Sequence, residues 1–206
     1  VVTLQEVWLN KYVKFLRENL EEYSISKTDN GLFNISGLLT LTRMKPQSVK
    51  HYKYSHTRKL NLPERIAQKG YLVTKIRTKG KEITIINTHI YQPIFESERA
   101  ISISQFRELK EVSSKETNVI IGADLNISFE DFKKENSGFF AYEKNNAIHA
   151  NGKNKYQKSR LNYGKYNEKH DYIICSSKSS KPGMKSRVIT EPIISDHYLY
   201  YAEIKT

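Results

Sequence analysis

Apolar residues fall along this chain in short runs of strand type, interrupted by only two stretches with helical spacing. Val1–Val7 reads as a strand. In Tyr12–Tyr23, Val13, Leu16 and Leu20 lie on one stripe, which predicts a helix. Leu38–Leu41 and Val49–Tyr54 read as short strands. Tyr71–Arg77 and Ile83–His89 predict two strands joined through a tight turn at Lys79-Gly80. Ser97–Ser114 predicts a second helix, with Ile101, Gln105, Phe106, Leu109 and Val112 roughly along one side. Strands follow at Val119–Ile127, Asp171–Cys175, Arg187–Thr190 and Tyr198–Ile204. Glu130–Lys169, rich in Lys, Asn, Gly and Tyr and poor in aliphatics, reads as a long loop. Many strands, two helices and neither a repeat nor a linker predict an α+β fold. Two packed, mostly antiparallel sheets flanked by helices would form one domain over residues 1–206.

Composition agrees with that size. With 206 residues and 38% hydrophobic positions the chain can bury one sizeable core. No apolar run approaches the length of a bilayer-spanning helix. The single Cys175 excludes an internal disulfide and reads as a small core residue. The chain opens on the apolar Val1-Val2-Thr3-Leu4, with no Met, basic leader or signal-like segment, as though already inside a domain. No cellular address can be read from it. Charge changes the picture more. Thirty-four Lys plus Arg against 22 Asp plus Glu give +12, which favours anionic partners: nucleic acid, an acidic membrane surface or a phosphorylated substrate.

The candidate chemistry sits at the ends of the predicted strands. In Val-Ile-Ile-Gly-Ala-Asp-Leu-Asn-Ile (119–127) an apolar run delivers Asp124 and Asn126 just past a glycine. On an extended chain, side chains two apart share a face. Glu6 ends the first strand, His89 closes Ile83–His89, Asp171 opens the strand after His170, and Asp196-His197 precede the last strand. One rim of the sandwich could collect them all. Taken singly, each has a structural explanation as a strand end, a core histidine or a turn.

Five segments in this order resemble the endonuclease/exonuclease/phosphatase superfamily, with its DNase I-like fold. They are Leu-Gln-Glu (4–6), Asn-Thr-His (87–89), Gly-Ala-Asp-Leu-Asn (122–126), His-Asp-Tyr-Ile-Ile (170–174) and Ser-Asp-His (195–197). Within that superfamily the chain is most similar to bacterial neutral sphingomyelinases, on the segment from Lys69 to Ile76, Arg99 and Gln105, Asp171–Ile174 and Ser195–Tyr198. The resemblance implies a first strand, carrying an Asn near the metal, that would precede Val1 and is missing from this sequence. It also implies an aromatic membrane-entering hairpin before Ser195, where Lys181–Ile194 contains no Trp or Phe. Secretion is the localisation that the resemblance weakly favours.

On this resemblance the expected activity is magnesium-dependent phosphodiester hydrolysis of sphingomyelinase C type, cutting a phospholipid headgroup. A nuclease of the same fold is the alternative, and a non-catalytic binding module a third reading. A divalent cation, magnesium or manganese, neutralises the phosphate and stabilises the leaving oxygen, and the hard oxygens of Glu6 and Asp196 suit it. His197 reads as general base, oriented by Asp171. Asp124 and Asn126 would hold the water and a phosphoryl oxygen, and His89 would bond the phosphate or protonate the leaving group. Trp8, Tyr12 and Phe15 read as packing of the first helix. Basic and aromatic residues alternate through the long loop, so Lys144, Lys153, Tyr156 and Tyr163 are candidate substrate contacts, on nucleic acid or on lipid headgroups. The expected partners are the phosphodiester substrate and an anionic membrane surface. No obligate protein partner is expected, and the chain reads as a monomer.

Overall fold

The computed structural model describes residues 1–28, 33–55, 67–93, 95–142, 170–176, 183–189, 191, 195, 197 and 199–205. Its centre is a six-stranded sheet in the order β4-β5-β6-β7-β9-β8. These strands are β4 (Ser48–Lys53), β5 (Gly70–Thr78), β6 (Lys81–His89), β7 (Val119–Asp124), β8 (Phe140–Ala141) and β9 (Asp171–Ser176). All pairings are antiparallel except β6–β7, which is parallel. A parallel pair needs a long crossover, here α2 (Arg99–Ser114), entered through a 3-10 turn at Glu96–Glu98. A second sheet, β1-β3-β2, consists of Val2–Leu4, Leu39–Thr42 and Ser24–Lys27. A ribbon of β10 (Gly183–Ile189) and β11 (Leu199–Lys205) lies beside β9.

The layers follow from which faces are apolar. β5 is buried along nearly its whole length, as a central strand covered on both faces should be. The edge strand β4 instead exposes Lys50 and Lys53. α2 and α3 (Phe129–Asn136) cover one face of the large sheet. Phe106, Leu109 and Phe132 pack there on Val73, Ile86, Ile121, Tyr172 and Ile174. α1 (Asn10–Asn19) covers the outer face of the small sheet through Val13, Leu39 and Leu41.

Between the sheets the contacts are close. A Cβ added at Gly122 would lie 2.1 Å from Thr3 Oγ1, so β1 crosses β7 where there is room for no side chain. Gly122→Ala should therefore push the sheets apart and cost about 1–3 kcal/mol, a loss that chemical denaturation would measure. Asn87 of β6 ties the sheets together. Its Nδ2 donates to Leu4 O (3.0 Å) and Leu39 O (2.9 Å), and its Oδ1 accepts from Gln5 Nε2 (2.8 Å).

The layout matches the packed sheets and flanking helices expected from the sequence, and the turn at Lys79-Gly80 is present. Both its residues have positive φ, 48° and 78°, and Thr78 pairs with Lys81, the geometry of a two-residue hairpin. Cys175 is a buried core residue, and its thiol is pushed up to about 11 by burial.

Several boundaries differ for physical reasons. β1 stops at Leu4, because the backbone reverses at Glu6 with φ 61°. The first helix runs Asn10–Asn19, shorter than expected, and β2 follows it after a turn; Leu16, Leu20 and Tyr23 all pack on the cluster beneath the helix. Tyr12 and Phe15 do not pack that helix; they are exposed. Trp8 does pack, its ring carbons lying 2.9 Å from a Cβ position at Gly37. The start of the expected loop 130–169 is α3 and β8. Ser128 caps α3 by accepting from Asp131 N–H (3.1 Å), and Arg99 Nε clamps Asp131 Oδ2 at 2.7 Å.

Candidate active site

Strand register brings the chemistry together. His89 of β6 is the register partner of Asp124 of β7, and Asp124 is the partner of Asp171 of β9. Directly opposed residues project from one face, so three adjacent strand ends present a row of His, Asp and Asp. That face is the one Thr3 and Asn87 occupy farther along the strands, which puts the row at the rim of the space between the sheets. His197 approaches from beyond Asp171, with Nδ1 2.8 Å from Asp171 Oδ2. Side-chain exposure rises along the row, from 4% at His89 to 31% at His197. His197 forms the mouth and His89 the floor.

Asn126 reaches the site by a route other than strand alternation. β7 ends at Asp124, and Asn126 adopts φ 47°, a left-handed conformation that Asn tolerates. Its backbone N–H donates to Asp124 Oδ1 (3.2 Å) and its Nδ2 to Ile90 O (3.0 Å). Asn126 thereby orients the Asp124 carboxylate and pins β7 to the end of β6.

Glu6 is exposed, on a turn held tightly on both sides. Gln5 bonds Asn87, Val7 N–H donates to Gly37 O (2.9 Å), and Asn34 Nδ2 donates to Val7 O (2.9 Å). A non-glycine residue at φ 61° costs about 1–3 kcal/mol. Asp196, Lys144, Lys153, Tyr156 and Tyr163 lie outside the described residues.

Lys69 belongs to the site, and the sequence reading missed it. It is buried, with Nζ 3.3 Å from His89 Nε2 and 3.4 Å from Ile90 O. The same Nε2 lies 3.6 Å from Asp124 Oδ2, so His89 stands between an ammonium and a carboxylate. Burial, with Lys69 and His197 nearby, holds the His89 imidazole well below its usual range. A ring neutral at pH 7 can offer a hydrogen bond but is not a proton donor of imidazolium type. No local pattern marks Lys69: it directly precedes a strand that itself carries Lys75 and Arg77.

Burial pushes the Asp124 carboxyl up to about 7, helped by Asp171 and opposed by His197, Lys69 and the Asn126 N–H. His170, which accepts Leu125 N–H through its carbonyl (2.9 Å), is pushed down to about 4 by burial.

Asp124, Asp171 and His197 each offer a ligand atom, all within 4.8 Å of one another, and this group could hold a metal ion. Hard carboxylate oxygens of this kind fit a divalent ion. The Asp171–His197 hydrogen bond competes with ligation by all three.

No protein-family model and no curated protein matches the sequence. Solved structures do. Sphingomyelinase C from Streptomyces griseocarneus superposes with a TM-score of 0.72 at 14% identity, over 99% of this chain and 82% of that one. D. rerio TDP2, complexed with a single-strand DNA product, gives 0.74 at 16% identity, over 100% and 85%. A doubly substituted beta toxin from Staphylococcus aureus with bound magnesium ions gives 0.71 at 19% identity, over 100% and 86%. The chain has the DNase I-like fold that these proteins share.

Proposed function

We propose that this DNase I-like chain is a divalent-metal-dependent phosphodiesterase of sphingomyelinase C type, hydrolysing a phospholipid headgroup ester by direct attack of water. The observation that carries the reading is the hydrogen-bonded Asp171–His197 pair beside Asp124, with Lys69 and His89 beneath. Magnesium supported by Glu6, Asp124 and Asp196 would neutralise phosphate charge and stabilise the leaving oxygen.

Asp171 accepts the Nδ1 proton of His197, leaving Nε2 as the basic atom toward the mouth, where it takes a proton from water. Asp124, oriented by the Asn126 N–H, accepts the second hydrogen of that water and sets its direction. The Lys69 ammonium, held at the floor, attracts the anionic phosphoryl group, and neutral His89 keeps that ammonium in place. No covalent intermediate is required.

The lipid substrate is favoured over nucleic acid by the sequence resemblance around Lys69–Ile76 and Ser195–Tyr198. The nuclease reading draws on the net charge of +12 and on the likeness to TDP2. A substrate panel separates them: sphingomyelin, lysophospholipids, plasmid DNA and RNA, each with magnesium or with EDTA. Phosphocholine release from sphingomyelin, abolished by EDTA, is the expected result. Cleavage of DNA or RNA with sphingomyelin left intact would replace the lipid reading by the nuclease one. Turnover in EDTA would end the metal mechanism. Glu6→Gln should raise the magnesium concentration needed for half-maximal rate by roughly tenfold, read from a metal titration at fixed substrate.

A further inference from the structure

The outer face of α1 carries a surface that the hydrolytic site does not use. Val13 points inward onto Leu39 and Leu41, while Tyr12 and Phe15 are 52% and 61% exposed. Three residues apart, those two rings are neighbours on the helix surface. Phe33, 55% exposed, bridges through its backbone to Leu9, whose carbonyl accepts Tyr12 N–H (3.0 Å). A third ring thus stands at the start of the same helix. Lys11, Lys14 and Arg17 are exposed on α1, where Lys14 Nζ pairs with the one acid of the helix, Glu18, at 3.7 Å. Lys11 Nζ lies 5.1 Å from the Tyr12 ring centroid.

We propose that this face, built from Tyr12, Phe15 and Phe33 with Lys11 and Lys14, docks the protein on an anionic phospholipid bilayer. The inference rests on the lipid reading of the site. Exposed rings clustered among cations match the two layers of such a surface: ammonium groups meet the anionic headgroups, and rings enter the acyl boundary beneath them. Phenylalanine carries no polar atom, so its exposure is unfavourable in water until an apolar medium covers it. A single strand of nucleic acid would instead follow a charged groove with rings set along it. This face is the convex outside of a helix.

Vesicle sedimentation in EDTA reads docking without turnover. The full chain should bind phosphatidylcholine vesicles containing phosphatidylserine and bind pure phosphatidylcholine vesicles more weakly. Phe15→Ser combined with Tyr12→Ser, and separately Lys11→Ala combined with Lys14→Ala, should each weaken that binding roughly tenfold or more. Both should cleave a water-soluble phosphodiester at the wild-type rate, since none of these four side chains belongs to the site. Vesicle binding unchanged in both variants, or absent in the wild type, would overturn the proposal. So would loss of DNA binding in place of lipid binding, or a fall from dimer to monomer, which would assign the face to nucleic acid or to a second copy. Failure of the wild type to hydrolyse detergent-dispersed sphingomyelin would count against the functional reading alone, since docking is measured without catalysis.

Discussion

Replacing His197 with Ala should lower turnover by roughly 10²–10⁴-fold, the range for loss of a general base, and leave the protein folded. Its ring is about a third exposed, at the mouth of the site, so little packing is lost. Asp171→Asn should lower the rate less. An amide oxygen can still accept the Nδ1 proton at the 2.8 Å position, but it no longer stabilises the imidazolium formed when water gives up its proton. Steady-state rates at saturating magnesium, alongside thermal melts of each variant, check both. Near wild-type rates in both variants would remove His197 from the mechanism.

Asp124→Asn should abolish turnover and, at the same time, make the metal-free protein more stable at pH 8. The carboxyl is buried and its pKa rises from 3.8 to about 7, by burial first and Asp171 second. Below pH ~4 the group is protonated in both folded and unfolded chains and has no effect on stability. From there to about pH 7 only the unfolded chain ionises, so stability falls as pH rises. The accumulated loss above pH 7 is on the order of 4 kcal/mol. Asparagine avoids that cost and retains an oxygen for the Asn126 N–H, now at 3.2 Å. Melts in EDTA should therefore separate wild type from variant widely at pH 8 and hardly at all near pH 4. Equal melting temperatures across that range would mean that no such penalty exists.

Much of this site could be read from residue order, because strand ends are where period-two patterns stop and polar groups begin. His89, Asp124 and Asp171 were identified in that way, and register then placed them in one row. Asn126 was chosen for a reason the backbone does not support: it lies past the strand, in a left-handed turn. Lys69 was passed over because a lone lysine carries no periodic signal; only three-dimensional closure buries it against His89. β2 carries one apolar residue, Ile25, among Ser24, Ser26 and Lys27, too little for a periodic signal. α3 had a local signature in Ser128-Phe129-Glu130-Asp131, a cap followed by acids, which the Lys- and Asn-rich composition around it outweighed.

The Asn87 clamp has a consequence for how the molecule assembles in time. The β5–β6 hairpin closes over two residues, whereas the bonds from Asn87 to Gln5 and Leu4 close loops of 82 and 83 residues. Contacts between distant parts of a chain form slowly. A refolding chain should thus show strand circular dichroism early and regain hydrolysis late, since Glu6 is aimed only once the clamp has formed. An interrupted refolding reaction would hold molecules with an intact central sheet and an unfinished site. The recovery of activity is then a clock for the docking of one sheet on the other.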